Sequence, residues 1–483
     1  MTATRGRGHP LVVGFDLDMT LADPRPGVVA TYRAVSDETG IEIDGELAAT
    51  RLGPLLEVEL ANWVPPERVS ELADRYRAHF ITLGVEGTTL LPGGVEALDA
   101  VRREGGHSIV VSAKNEPAVR ATVERLGLTP DEVVGWVWGP DKGDVLRDRA
   151  AAVYVGDHTG DMLAARIAGA TAVAVATGAD TPAELREAGA DVVLDDLTEF
   201  PGWLSSYLLP GRLEELDSQL AELGSVMVAF SGGADSAFLL AAAVRALGPA
   251  SVIAATAVSP SLPGSELDAA RAFAAQLGVR HVTPTTDELA RDGYRANDGD
   301  RCRFCKSELL DVLSALAASM GVGHVLTGTN ADDVAAGFRP GIRAAAERGA
   351  LTPLLDAGLD KGSVRRASRD WGLVTWDKPA AACLSSRIAF GVEVTADRLS
   401  RVERAEAALR TALAEHGITI RDLRVRDLGD LARVEIDAEA VPAVAARPAI
   451  LDAVQGFETV QLDPRGFRSG SMNELLPDPD RWR

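Results

Sequence analysis

Two aspartates two positions apart, Asp16 and Asp18, close an apolar run in "LVVGFDLDMT". Carboxylates crowded at the end of a buried strand are costly to desolvate unless a cation shares the site. Later apolar runs end in "SAKNE", with Ser112, and in "GDHTGD", with Asp157 and Asp161, while Lys142 lies between them in "GPDKGDVL". Ligands of open parallel sheets bind beyond the carboxyl ends of the strands. A hydroxyl, an ammonium and several carboxylates gathered there can hold a phosphoryl group and a divalent cation.

A second chemical stretch is "VMVAFSGGADSAFLL", which reads as strand, glycine turn and helix. The backbone N–H groups of such a turn, with the helix N-terminus behind them, make an anion nest. No lysine follows the glycines, so this is not the P-loop of the GxxxxGK[ST] type. "LTGTNADD" (326–333) adds a polar loop with Thr329, Asp332 and Asp333 after a further strand, which suits nucleotide or Mg²⁺ binding. A third stretch, "GDRCRFCKSE", holds two of the three cysteines in the chain, Cys302 and Cys305; the third is Cys383 in "AACLSSR". Three cysteines cannot make a disulfide framework in a chain of 483 residues, so metal, cluster or redox use in a reducing compartment is expected. The neighbouring Arg301, Arg303 and Lys306 are expected to lower the thiolate pKa values.

The elements that must position these residues are legible as alternating apolar runs and helical stretches. "LVVGFD" (11–16), "SIVVSA" (108–113), "AVYVGD" (152–157) and "AVAVATG" (172–178) read as buried parallel strands, with a helical cap inserted at about 23–91. The pattern restarts with "SVMVAF" (225–230), "SVIAATAVS" (251–259), "HVTPTT" (281–286) and "HVLTGT" (324–329). Two Pro-Gly pairs and an aromatic cluster in "LTEFPGWLSSYLLPGRL" place a boundary near 196–212. The expected class is α/β: two doubly wound parallel-sheet domains, at 1–205 and 212–390, and a small α+β domain at 391–483.

Composition narrows the function classes. A net charge of −22 disfavours a stable nucleic-acid partner, which must neutralise phosphates. No apolar run approaches a membrane span, and the N-terminus lacks the apolar region of a signal peptide, so a cytoplasmic enzyme of small molecules is expected. Arginine so outnumbers lysine that only five lysines occur, Lys114, Lys142, Lys306, Lys361 and Lys378, and all five fall in or beside the motifs. A lysine kept in such a chain suggests a need for a compact point charge.

Residues 8–200 resemble the haloacid-dehalogenase superfamily of phosphohydrolases, with a cap like that of the phosphoglycolate-phosphatase-like members. The resemblance implies Asp16 as nucleophile, Asp18 as general acid/base, and Ser112 and Lys142 as phosphoryl-binding residues. Thr20 orders the same phosphate-binding loop. Asp157, with Asp16, Asp18 and Asp161, is implied in Mg²⁺ binding. One departure is the short spacing between Lys142 and Asp157; Lys114 is the weaker substitute for the motif lysine, and His158 reads as a loop residue.

Ser231, Gly232, Gly233, Ala234, Asp235 and Ser236 resemble the PP-loop ATP pyrophosphatases. The resemblance then extends over 212–483 to the LarE family, through "DRCRFCKSEL", "GTNADD", "FRPGIRAA", "TPLLDAGLDK", "TWDKPAAACLSSR", "RVRDLGDLARVEI" and "GFRSGSMNE". It implies an ATP-dependent sulfur transferase that adenylates the carboxylates of pyridinium-3,5-dicarboxylate mononucleotide and converts them to thiocarboxylates for the nickel-pincer cofactor. ATP is expected on the "SGGADS" turn with Thr329 and Asp333. Arg424 and Arg426, alternating on one strand, and Arg468 are assigned to the anionic groups of the mononucleotide.

Three readings of the cysteines remain open. Cys302, Cys305 and Cys383 could hold a [4Fe–4S] cluster with one open iron for sulfide; the family resemblance favours this. Cys302 and Cys305 could instead be a redox pair, with Cys383 sacrificing its sulfur. A structural zinc with a non-cysteine fourth ligand is the third. The expected partners are ATP, a nucleotide substrate and a sulfide donor, with the C-terminal domain binding substrate or serving a homo-oligomer. The rival reading keeps the PP-loop chemistry but changes the acceptor, for example to tRNA, and makes the N-terminal domain a non-catalytic docking module.

Overall fold

The computed structural model describes residues 10–52, 55–335, 340–379, 382–468 and 470–475. Parts of the "FRPGIRAA", "TWDKPAAACLSSR" and "GFRSGSMNE" motifs lie outside the described residues. The chain separates into two compact units, residues 1–208 and 209–483.

The first unit is built on a six-stranded parallel sheet. Its strand order is Glu132–Val134, His107–Val111, Val12–Phe15, Val153–Gly156, Thr171–Val175, Val192–Leu194. Beyond His107 and Thr171 at their starts, the inner strands are buried and, Ser108 apart, free of polar side chains, as a sheet covered by helices on both sides requires. The two edge strands, three residues each, were too short to stand out as apolar runs. After the first strand the chain leaves the sheet to form the helical cap, through Arg25–Thr39, Gly45–Ala49, Leu56–Leu60 and Pro66–His79. A short antiparallel ribbon, Ala22–Asp23 with Thr89–Leu90, ties the two ends of the cap together. Tyr32, Val35, Leu60, Leu72, Tyr76 and Phe80 form the cap's own core.

The second unit has a four-stranded parallel sheet in the order Arg280–Val282, Val252–Ala255, Val226–Ala229, His324–Thr327. It also holds a three-stranded sheet in which Leu423–Asp427 pairs antiparallel with Leu431–Ile436 and the latter pairs parallel with Thr459–Leu462. The helix Ala396–Glu415 covers this small sheet through Ala405, Leu409 and Leu413.

The stretch read as Pro-Gly punctuation is helical. Phe200–Glu222 runs through Pro210 without a break. An interior proline removes one backbone hydrogen bond, a loss that side-chain packing outweighs here: Phe200 and Leu204 join the core of the first unit, and Leu216 and Leu220 that of the second.

Candidate active sites

In the first unit, three adjacent strands deliver the polar residues. Asp16 follows Val12–Phe15, Ser112 follows His107–Val111 and Asp157 follows Val153–Gly156. All three side chains are buried. Asp16, Asp157 and Asp161 each place an oxygen within 4.8 Å of the others, the spacing one metal ion needs. Lys142 bridges two of them, at 2.9 Å from Asp16 and 2.8 Å from Asp161. Its short spacing from Asp157 is accommodated by one eight-residue helix, Asp141–Asp148, that starts beside the site. Thr20 donates to Asp157 at 3.0 Å, so it steadies a carboxylate rather than standing in the cavity as a phosphate ligand. Asp18 lines the same cavity but is not one of the gathered trio, and it pairs with Lys114, whose ammonium also lies 4.6 Å from the Phe80 ring. Asp18 therefore departs from the expected set of metal carboxylates, and both Lys114 and Lys142 belong to the site. His158 is not a plain loop residue: its Nδ1 accepts from Gly160 N at 3.0 Å and caps the helix Thr159–Ala168 that carries Asp161.

Crowding three carboxylates in a dry site resists their ionisation. Burial, reinforced by Asp161 and Asp18 and opposed by Lys142, pushes the Asp16 carboxyl up to about 7. Burial and the charge of Asp16 push Asp157 up as well. For Lys142, burial opposes the charged form, but Asp16 and Asp161 outweigh it and hold the ammonium above its ordinary range. A divalent cation among the trio would relieve this repulsion, so the residues fit Mg²⁺.

The second cavity, of about 390 Å³, opens at the carboxyl edge of the four-stranded sheet. Its floor is the turn from Ser231 to Ser236. Gly232 holds φ +75°, a left-handed conformation that favours glycine. Ser231 and Ser236 face each other at 3.1 Å, and Ser236 donates to Gly233 O at 3.1 Å. Thr329 and Asp333 arrive from the strand His324–Thr327, and a Cβ on the intervening Gly328 would lie 2.9 Å from Ser236 N. Burial and the nearby Asp333 raise the Asp235 carboxyl. Three lysines serve this edge. Lys361 pairs with Asp333 at 3.1 Å, Lys378 donates to Gly232 O at 3.0 Å and pairs with Glu266 at 2.6 Å, and Lys306 lines the cavity.

Cys305 and Cys383 lie in the wall of this same cavity. Cys302 is exposed one helical turn before Cys305, on Arg301–Ser319. The expectation that neighbouring cations lower the thiol pKa fails at Cys305: burial pushes it up, and Cys383, Glu288 and Cys302 push the same way, against Lys306. The buried guanidinium of Arg301 donates to Asn297 and to Ser385 O. Among the described residues, the three sulfurs are not gathered within 4.8 Å of one another. A tetrahedral zinc, with Zn–S near 2.3 Å, would draw its sulfurs to about 3.8 Å apart, so the arrangement does not match a closed zinc site. The wider spread is compatible with a cluster, whose thiolates bind different irons.

The loop bearing Cys383 is clamped by Ser385 and Arg387 of its own motif and by residues that carried no motif signal. Asn297, fully buried at φ +58°, donates to the carbonyls of Ile388, Ala389 and Val392. A hydroxyl chain runs from Ser261 through Tyr294 to Ser385, at 2.6 and 2.7 Å, and Ser385 Oγ donates to Cys383 Sγ at 3.2 Å. Arg387 donates to Cys383 O at 3.0 Å and pairs with Glu406 at 3.0 Å. A tyrosine and an asparagine so distant along the chain look like ordinary polar residues until folding brings them together.

The three expected anion-binding arginines are not alike. Arg424 and Arg426 are both buried on Leu423–Asp427. Arg426 is already paired with Glu435 at 2.8 Å and donates to Ser386 O at 3.2 Å. Arg424 lies 5.1 Å from the Phe467 ring, and burial and the charge of Arg387 pull its pKa down. Arg468 pairs with Glu474 near the surface. All three thus have a carboxylate within ion-pair reach, Arg424 the most loosely, at 3.9 Å from Asp422, and Arg387 joins Arg424 as the unexpected member of the cationic group.

Comparison with known proteins finds a different family on each unit. The haloacid dehalogenase-like hydrolase family matches residues 13–166, and the asparagine synthase family matches residues 214–452. The chain is 34% identical over 264 residues to pyridinium-3,5-bisthiocarboxylic acid mononucleotide synthase of Lactiplantibacillus plantarum, covering 54% of this chain and 93% of that protein. An uncharacterised protein of Synechocystis sp. is 41% identical over 274 residues, covering 56% of this chain and 99% of its own length. A probable phosphatase of Dickeya dadantii is 30% identical over 213 residues, covering 40% of this chain and 92% of its own. With a serine–glycine nucleotide turn and two cysteines on one cavity, and this likeness over nearly the whole of the Lactiplantibacillus protein, the chain is an enzyme of the LarE family of PP-loop proteins that also carries a haloacid-dehalogenase-like hydrolase domain.

Proposed function

We propose that the second unit is an ATP-dependent sulfur transferase that acts on pyridinium-3,5-dicarboxylate mononucleotide. The observation that carries the reading is the shared cavity: Cys305 and Cys383 line the same space as Ser231, Asp235, Ser236 and Asp333. A substrate carboxylate oxygen attacks the α-phosphorus of ATP, and the bond to pyrophosphate breaks. The "SGGADS" amides receive the departing pyrophosphate, and Asp235 and Asp333 are placed to hold Mg²⁺ beside it. A sulfur nucleophile then attacks the acyl carbon, AMP leaves, and a thiocarboxylate remains. Cys302, Cys305 and Cys383 are the residues that would hold a [4Fe–4S] cluster, which when bound supplies an open iron for sulfide. Arg387 and Arg424, whose charges oppose each other beside Glu406 and Asp422, are the cations proposed to meet an anionic group of the substrate.

For the first unit the proposal is a Mg²⁺-dependent phosphohydrolase. Asp16 attacks phosphorus, the ester oxygen leaves with a proton from Asp18, and water deprotonated by Asp18 releases phosphate from the aspartyl-phosphate. Asp157 and Asp161 hold the metal with Asp16.

AMP release tests the sulfur-transfer reading. With ATP and Mg²⁺ under anaerobic conditions, AMP should appear when the dicarboxylate mononucleotide is added and not when tRNA is added. AMP release that depends on tRNA alone would overturn the choice of acceptor.

A further inference from the structure

The hydrolase cavity of the first unit, of about 170 Å³, extends from Asp16 and Ser112 up into the cap. Five aromatic residues line it: Tyr32, Tyr76 and Phe80 from the cap, and Trp136 and Trp138 from the sheet side. The two tryptophans are 54% and 43% exposed, a large apolar area to leave in water beside a polar site. Trp136 also sits at φ +62°, where a bulky side chain is strained, just after Gly135. Its amide donates to Lys114 O at 2.7 Å, which pins it to the loop that bears Lys114. The Arg77 guanidinium lies over the indole at 4.6 Å. An exposed aromatic ring held in a disfavoured conformation at the mouth of a cavity is what a stacking platform requires.

The charges of the cap argue against a second phosphate there. Among the described lining residues, the cap contributes two cations, and both are paired: Arg51 with Glu59 at 2.7 Å, and Arg77 with Glu57. Lys114 and Lys142 lie at the aspartate end and are paired as well. A pyrophosphate would therefore put its second anionic group among aromatic rings and glutamates. A small aliphatic ester has no ring to stack on either tryptophan.

We infer that this site takes a phosphomonoester whose leaving group carries a flat aromatic ring without negative charge, the class that includes nucleoside monophosphates. The inference rests on the phosphohydrolase reading and narrows it. AMP, the by-product of adenylation, belongs to the class.

Phosphate release by the full-length protein with Mg²⁺, measured on AMP, glycerol phosphate and pyrophosphate, tests it. The expected kcat/KM for AMP exceeds that for glycerol phosphate by at least about tenfold and that for pyrophosphate by at least about a hundredfold. Trp136→Ala should cut the ratio of AMP to glycerol phosphate about tenfold, and Trp136→Phe, which keeps a ring on the same backbone, should hold it within about threefold. Equal or preferred hydrolysis of pyrophosphate or glycerol phosphate would overturn the inference and leave the phosphohydrolase reading standing. A ratio that Trp136→Ala and Trp138→Ala both leave unmoved would overturn it too. No phosphate from any of the three would overturn the phosphohydrolase reading, and the inference with it.

Discussion

At the edge of the first sheet the reactive groups are already in contact: three carboxylates within 4.8 Å and an ammonium bridging two of them. At the edge of the second, the nucleotide turn is closed by its own serines, but the sulfur atoms sit on two separate elements, one of them exposed. The first site is compressed and needs a cation to balance it. At the second, among the described residues, the three sulfurs are not gathered within 4.8 Å of one another. Both sites lie at the carboxyl ends of parallel strands, so the same sheet logic positions a prebuilt site in one case and an unassembled one in the other.

The largest expected effect breaks the pair apart functionally. Asp16→Asn should lower phosphate release at least about a thousandfold, because the nucleophile is lost. The same variant should leave mononucleotide-dependent ATP consumption unchanged, and a parallel fall in both activities, measured side by side, would show that the sites are coupled.

Iron content sharpens the contrast at the second site. Anaerobically reconstituted protein should bind about four irons per chain, the content of one [4Fe–4S] cluster. Cys302→Ser should reduce this to below about one, and the carboxylate variant Asp157→Asn should leave it untouched. Stoichiometric zinc in place of iron, found by elemental analysis, would contradict the cluster reading.

Stability separates the arginines that the sequence groups together. Arg426→Ala strips a partner from Glu435, which is fully buried, and should destabilise the second unit by about 3–5 kcal/mol in urea unfolding. Arg468→Ala, near the surface, should leave the unfolding midpoint where it was.

The smallest effect is on pH. The Asp16 carboxyl is raised to about 7 in the folded protein, so the folded state holds a proton that the unfolded state has lost. Its contribution to stability is full below the ordinary carboxylate pKa and is lost as pH rises through about 7. Mg²⁺ must displace that proton, so the rise in Tm on adding Mg²⁺ should grow between pH 6 and pH 8. Asp16→Asn should flatten the trend.

Much of this was legible in the sequence because strand ends carry their chemistry next to apolar runs. Asp16, Ser112, Asp157 and the "SGGADS" turn are each announced by the strand before them. Lys142 announced itself as one of five lysines. The misreadings have physical causes. Pro-Gly pairs in Phe200–Glu222 looked like breaks, yet apolar packing at both ends of the helix holds it straight through. Asp18 and Asp161 were both expected among the metal carboxylates, but Asp18 pairs with Lys114 while Asp161 lies with Asp16 and Asp157. Asn297 and Tyr294 were silent, because a clamp made of distant residues leaves no local pattern. Arg426 read as a ligand because its partner, Glu435, lies across a strand pair that spacing alone does not reveal.

The most direct test of the sulfur-transfer account counts sulfur atoms. Anaerobically reconstituted protein, given ATP, Mg²⁺, sulfide and the dicarboxylate mononucleotide, is assayed by mass spectrometry for thiocarboxylate product and for the intact mass of the chain. The account predicts several sulfurs transferred per chain, with Cys383 unaltered. A single sulfur per chain with Cys383 converted to dehydroalanine would contradict it.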